Sequence, residues 1–141
     1  MATKRRVLRE IVVKILFQLD FRPDEFESIF DELAGKIKDS KLKNDVEKYA
    51  RGIYDRMTEI DSLISQYLIN WDFTRISHLE RSVLRLGTYE LLYEMDIPIE
   101  VTLDEMIEIA KKYGSEESGK FINGILDKIA KLHAPKEKYD L

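Results

Sequence analysis

Cysteine is absent from the 141 residues of the chain, which excludes disulfides, a thiolate nucleophile and any thiolate-held metal. Histidine occurs twice, at His78 and His133, and neither completes the Glu-x-x-His spacing of a helical di-iron site. No apolar run approaches the roughly 20 residues of a membrane span. No apolar stretch follows the basic start Met1-Ala2-Thr3-Lys4-Arg5-Arg6, which argues against a secretory leader and for a cytoplasmic protein. There is no Gly-x-Ser-x-Gly, and without cysteine there is no Cys–His pair. Every specific reason to expect an enzyme, a metal or a cofactor is thereby removed.

What is present is a helical chain. Its length fits one domain, 1–141, and hydrophobic residues at 44% supply enough core to exclude disorder. Charged residues make up 35%, a share found in heat-adapted proteins and in ordinary helical ones alike. The net charge of -4 argues against nucleic acid, but its distribution argues for it. Residues 1–14 carry Lys4, Arg5, Arg6, Arg9 and Lys14 against Glu10 alone, a net +4, so the remainder carries -8. A basic arm on an acidic body is an asymmetry that marks nucleic-acid contacts.

Helical periodicity runs through the chain. Val7, Leu8, Ile11, Val12, Ile15, Leu16 and Leu19 form the first stripe, with Thr3 as its expected cap. Pro23-Asp24 breaks it. Phe26, Ile29, Phe30, Leu33 and Ile37 form a second stripe, and Asp39-Ser40-Lys41 reads as a link. A long pattern from Val46 to Leu68 fits one helix or two. Asn70-Trp71-Asp72-Phe73 closes the first half, so the helical halves are expected at about 1–71 and 72–141. Ser77-His78-Leu79-Glu80 is a capping box, and Thr102-Leu103-Asp104-Glu105 reads as a second. Gly114 is expected to close the helix between them and the last one, at a positive φ. Ser115 or Ser118 then caps a helix carrying Phe121, Ile122, Ile125, Leu126, Ile129 and Leu132, and Pro135 with the charged tail ends it.

Two segments suggest chemistry. Arg5, Arg6 and Arg9 are helical neighbours that can hold phosphates or stack on unpaired bases. The ordinary alternative is a solvated helix end. Against it, cations at a helix N-terminus are unfavourable by about 0.3–1 kcal/mol each. The second segment, Gly114-Ser115-Glu116-Glu117-Ser118-Gly119-Lys120, has the spacing of a phosphate loop. Phe121 stands where a Mg²⁺-binding hydroxyl belongs, a helix rather than a strand precedes it, and two glutamates would repel a triphosphate. It is a helix–helix turn. It nevertheless offers Ser115, Ser118, Lys120 and Phe121 together, which suits a single strand. For Phe121 alone, and for Tyr67, core packing is the default.

The segments have a further property as an ordered set. Arg5-Arg6-x-x-Arg9 leads into Ile15-Leu16-Phe17-Gln18-x-Asp20. Ile60-Asp61-x-x-Ile64 is followed by Trp71-x-x-x-Arg75-Ile76. Glu80-Arg81-x-x-Leu84-Arg85-Leu86-x-x-Tyr89-Glu90-Leu91 is followed by Asp96-Ile97-Pro98. Asp104-Glu105-x-Ile107-Glu108-x-Ala110-Lys111-x-Tyr113-Gly114 continues into Ser118-x-Lys120-Phe121-Ile122-Asn123-Gly124-Ile125-Leu126-Asp127. In this order they resemble the NusB family across nearly the whole chain.

The resemblance implies an all-α bundle of about seven helices in two packed three-helix subdomains. It implies binding to single-stranded boxA RNA of nascent transcripts, above all ribosomal RNA, together with a small-subunit ribosomal protein, NusE. The pair would join RNA polymerase and other Nus factors and suppress termination. In that family the RNA lies across the arginine-rich helix and the turn before the last helix. Carried over, this marks Lys4, Arg5, Arg6, Arg9, Phe17, Tyr67, Ser115, Glu117, Ser118, Lys120 and Phe121 for RNA, and Glu80 for the protein partner. Val7 and Leu8 stand where relatives often carry Arg and Ala, Asp104 where Asn is common, and Phe17 where Tyr is frequent. These departures thin the basic patch and bear on affinity. Two rivals remain: a helical adaptor or homodimer with no RNA role, and an RNA-targeting fragment of a ribosomal RNA methyltransferase.

Overall fold

The computed structural model describes residues 4–69 and 72–141. Thr3, the expected cap of the first helix, and Asn70 and Trp71, expected to close the first half, lie outside the described residues. The described residues form seven α-helices and no strand. They are α1 (Lys4–Phe21), α2 (Phe26–Ala34), α3 (Ser40–Asp55), α4 (Met57–Ser65), α5 (His78–Tyr93), α6 (Ile99–Tyr113) and α7 (Glu116–His133). Short 3₁₀ turns cover Phe73–Arg75 and Lys136–Asp140.

The chain clusters into two compact units, Met1–Asp55 and Arg56–Leu141. The sequence pattern placed the boundary near residue 72. The long periodic stretch instead breaks into two helices at Arg56, and α4 packs on α5 rather than with the helices before it. In the first unit, α1 packs on α2 and α3. Leu8, Val12, Ile15, Leu16 and Leu19 are buried on α1, with Ile29 on α2 and Val46, Tyr49 and Ile53 on α3. The second helix stops at Ala34, short of Ile37. Asp39 is more than a link: its Oδ1 accepts from the amides of Lys41 and Leu42, at 3.1 and 3.2 Å, and so caps α3.

The second unit is built around α5, which packs on α4, α6 and α7. The Ser77 capping box forms as expected. From Arg81 to Leu91 every residue of α5 is buried, polar ones included. Gly87 is what lets its neighbours close in, since a Cβ there would stand 2.6 Å from Leu126 Cδ1 and 3.1 Å from Met106 Cγ. Most of the buried polar groups are answered by specific partners, the exception being Thr88, whose Oγ1 is buried without a hydrogen-bond partner among the described residues. Arg85 donates to both oxygens of Asp61 at 2.8 Å. Arg81 donates to the carbonyls of Phe73 and Ile76 at 2.9 and 3.2 Å. Tyr89 donates to Glu94 at 3.0 Å, and burial together with that carboxylate pushes its phenol well above the ordinary range.

Two sequence expectations are corrected here. Thr102 does not open a capping box: α6 already begins at Ile99, with Pro98 at the cap in extended geometry. Thr102, the fourth residue of α6, is buried and donates to Glu90 Oε1 at 2.7 Å. Gly114 does end α6, but at φ -122, so a left-handed conformation is not its reason. The reason is crowding, because a Cβ would lie 2.8 Å from Ala110 O and 2.9 Å from Ser118 Oγ.

The tail after Pro135 is also more than a charged end. Lys138 is 2% exposed, and its Nζ donates to the carbonyls of Glu90 and Leu91 at 2.9 and 3.2 Å. A tail lysine thus satisfies carbonyls near the C-terminus of α5. Replacing Lys138 with Met should cost about 1–3 kcal/mol, since the Glu90 and Leu91 carbonyls lose a buried charged donor, although the Glu94 amide still reaches Glu90. Urea unfolding measures it, with the exposed Lys136→Met as a near-silent comparison. Arg85→Ala should cost a similar amount, about 1–3 kcal/mol, because Asp61 loses a two-pronged charged partner.

Candidate nucleic-acid interface

In the first unit, α1 opens with Lys4, Arg5 and Arg6 all exposed. No acid stands in its first turn to offset them. Arg9 differs. It is 2% exposed and engaged within the protein, so its guanidinium is not offered to solvent. The reason is spacing: Val12, Val13 and Leu16, three, four and seven residues on, are all buried, which places Arg9 on the core stripe. The solvent-facing cluster is therefore Lys4, Arg5 and Arg6.

Two side chains hold that cluster to α3. Lys4 Nζ lies 2.9 Å from Asp39 Oδ2, and Arg5 Nη1 donates to Tyr49 Oη at 3.4 Å. The Lys4 hydrogen bond, then the Leu42 amide, holds the Asp39 carboxyl below its ordinary range, and Asp39 raises Lys4 in return. A groove of about 250 Å³ runs between Lys4 and Arg5 on one side and Asp39, Lys41 and Asp45 on the other. Phe17 sits three turns along α1 from Arg5, about 18 Å at 1.5 Å per residue. Its ring is half-buried against Phe21, with centroids 5.4 Å apart, and Phe21 is the more exposed of the two at 56%.

In the second unit, the turn between α6 and α7 faces the start of α5. Ser115 caps α7, its Oγ accepting from the Ser118 amide at 3.1 Å. An open groove of about 480 Å³ is lined by Arg75, Ile76, Ser77, Glu80, Ser115, Glu117, Ser118 and Phe121. Four residues marked for RNA thus share one groove with Glu80, marked for the protein partner. Phe121 is half-buried rather than sealed in the core. Lys120 is exposed but does not line the groove. Tyr67 is elsewhere: its hydroxyl meets His133 Nε2 at 2.5 Å, at the far end of α7. His133 is fifteen residues beyond Ser118, about 22 Å along the helix.

Arg75 is the residue that sequence reasoning quoted without giving it a role. It closes the 3₁₀ turn whose start Asp72 caps, accepting from the Thr74 amide at 3.1 Å. Hydrogen bonds from Thr74, then the Arg75 charge, hold Asp72 below the ordinary carboxylate range. The available signal was its place two residues before the Ser77 cap, which points a cation toward the same end of α5. Among the described residues no cluster of three or more acidic or histidine side chains is arranged to hold a metal. No helix of the described residues is long and apolar enough to cross a membrane.

A family model described as the NusB family matches residues 6–131. The chain belongs to the NusB family. It is 64% identical over 141 residues to the transcription antitermination protein NusB of Fervidobacterium nodosum, covering all of both chains. It is 34% identical to NusB of Bacillus subtilis, over 89% of this chain and 94% of that one. Among solved structures, NusB of Thermotoga maritima superposes with a TM-score of 0.93 at 58% identity, covering both chains fully. A structure described as antitermination factors NusB and NusE in complex with dsRNA gives a TM-score of 0.85 at 28% identity, over 94% of this chain and 100% of that one. The all-helical NusB fold expected from the sequence is the fold observed.

The Lys4–Asp39 pair carries its own test. Carboxyl-detected NMR titration should find the Asp39 midpoint below the usual aspartate range. In Lys4→Met it should move up toward that range, stopping short because the Leu42 and Lys41 amides still favour the charged form. An unmoved midpoint would mean the ion pair does not persist in solution.

Proposed function

We propose that this NusB-family chain is a transcription antitermination factor, not an enzyme. It binds boxA RNA of nascent ribosomal RNA transcripts together with NusE, in the cytoplasm. With other Nus factors it suppresses termination by RNA polymerase. The observation that carries this reading is kinship at full length, 64% identity to a protein named for antitermination, joined to a 28%-identical NusB solved with NusE and RNA. The whole chain is read as one RNA-binding domain.

The site chemistry supports the reading. Lys4, Arg5 and Arg6 present exposed cations to phosphates, which fix register without reading sequence. The groove of the second unit supplies what phosphates do not need and bases do: hydroxyls on Ser115 and Ser118, a carboxylate on Glu117 and a stacking face on Phe121. Glu80 is the candidate for NusE, at the edge of that groove. Arg9, buried as it is, serves by holding α1 in place rather than by direct contact, and Tyr67 is proposed as a more distant contact. The acidic remainder of the chain repels RNA, so NusE is expected to raise affinity by adding positive surface.

Fluorescence anisotropy with boxA RNA and a scrambled control, with and without NusE and across salt, tests this. Selective binding that tightens with NusE and weakens with salt is expected. Arg5→Ala with Arg6→Ala should flatten the slope of log affinity against log salt by about 1.4, at roughly 0.7 per phosphate on a single strand. The solved relative holds double-stranded RNA, so a duplex boxA arm belongs in the same titration. Binding the duplex better than the single strand would overturn the single-strand assignment. No preference for boxA in any arm would overturn the reading itself.

A further inference from the structure

Among the seven helices of the described residues, α1 and α3 carry no acid within the first turn, the only acid at the start of α3 being its cap Asp39. The other five begin with Glu27, Glu59, Glu80, Glu100, and Glu116 with Glu117. An acid there complements the positive end of the helix dipole, and a cation opposes it. The first turn of α3 carries Lys41 and Lys43, and the connection leading to it carries Lys36 and Lys38. Residues 36–43 therefore hold four lysines against Asp39, a net +3 in eight residues of a chain whose total is -4.

These lysines are not scattered. The Lys4–Asp39 ion pair and the shared groove bring the start of α3 beside the start of α1, joining segments more than thirty residues apart in sequence. Lys36, Lys38 and Lys41 are exposed. Among the described residues Lys36 and Lys38 have no side-chain hydrogen bond or ion pair. Lys41 pairs at 3.0 Å with Asp45, one turn along, with 82% of its own side chain exposed. Lys43 is half-buried and spent on the Gly35 carbonyl at 3.1 Å, so it is left out.

We propose that Lys36, Lys38 and Lys41 extend the RNA-binding face of α1 as a second set of phosphate contacts, with Asp39 as a built-in counter-charge. The occupant is RNA because the patch continues the Lys4–Arg5 face, which the proposed function assigns to RNA. The inference rests on that reading. Lysine suits the task, since a mobile point charge holds a phosphate and reads no base. Asp39 competes with phosphate for Lys4, so its carboxylate weakens binding while its Oδ1 caps α3. Asn caps a helix as well as Asp does, so Asp39→Asn removes the charge and keeps the cap.

The test uses the full chain with NusE, fluorescent boxA RNA and a scrambled control, across salt. Lys36→Gln, Lys38→Gln and Lys41→Gln combined should weaken boxA binding about tenfold or more. The salt slope should flatten by about 2, at roughly 0.7 per phosphate, and the boxA-to-scrambled ratio should hold. Asp39→Asn should tighten binding severalfold. A comparison triple, Lys128→Gln, Lys131→Gln and Lys136→Gln, changes net charge equally and should do little. Circular dichroism and thermal melting confirm that each variant is folded. If the wild type prefers boxA but the lysine triple binds with unchanged affinity and slope, the patch is overturned while the RNA reading stands. Equal losses in both triples overturn it too, by assigning the effect to net charge. Unchanged affinity in Asp39→Asn overturns the counter-charge. A wild type with no preference for boxA takes down the RNA reading and this inference with it.

Discussion

A helix buried along eleven consecutive residues cannot be apolar on one face and polar on the other. In α5 the buried set includes Arg81, Ser82, Arg85, Thr88 and Glu90, and burying such groups is costly unless each finds a partner. The second unit answers that constraint for Arg81, Arg85 and Glu90, while Thr88 Oγ1 stays buried without a hydrogen-bond partner among the described residues. Asp61 on α4 meets Arg85, Thr102 on α6 meets Glu90, and Lys138 in the tail meets the Glu90 and Leu91 carbonyls. Each partner comes from a different segment. The polar groups of α5 therefore fix which segments surround it, where an apolar surface would accept several arrangements.

The groove inherits its geometry from the same constraint. Arg81 reaches back from the first turn of α5 to the carbonyls of Phe73 and Ile76, which ties down the 3₁₀ turn ending at Arg75. The Ser77–Glu80 box fixes the direction from which the chain enters α5. On the other wall, the crowded Gly114 and the Ser115 cap set the tight passage from α6 into α7. Of the lining residues, Ser77, Glu80, Ser115 and Ser118 are held in helix caps, and their backbone is set by buried groups behind them. That combination presents Arg75, Glu117 and Phe121 on a fixed backbone beside the capped residues.

What could be read from the sequence followed from local rules. The Ser77 box and the Ser115 cap need only residues three apart, and both form. Amphipathic stripes located the helices. The misreadings came where tertiary partners outvote local chemistry. Thr102 has the spacing of a cap, but Pro98 starts the helix earlier and Glu90 claims the hydroxyl. Lys138 reads as a solvated tail, because nothing near it in sequence announces two carbonyls some 47 residues away. Arg9 was grouped by charge with Arg5 and Arg6, although its spacing to Val12, Val13 and Leu16 already placed it on the buried stripe. For the candidate site, the sequence marked the residues around Ser115 but could not show Arg75 and Glu80 joining them, since that meeting needs α5 and α7 to pack.

Net charge says little about any one face of the molecule. A total of -4 describes the field far from the molecule. At physiological ionic strength that field fades within a Debye length of about 8 Å. A charge near the start of α1 feels Lys4, Arg5 and Arg6 within that distance, while charges much farther away are mostly screened. The balance that matters is local, set by which carboxylates stand among the cations. At the α1–α3 face those include Asp39 and Asp45, each paired with a lysine, and Glu10 one turn along α1 from Arg6. Lower salt lengthens the reach of the acidic remainder, but it also strengthens release of counterions from the RNA, which favours binding. The two effects oppose each other. A chain of net negative charge can thus carry a locally basic face, because the sign felt at short range is set by the groups within that range.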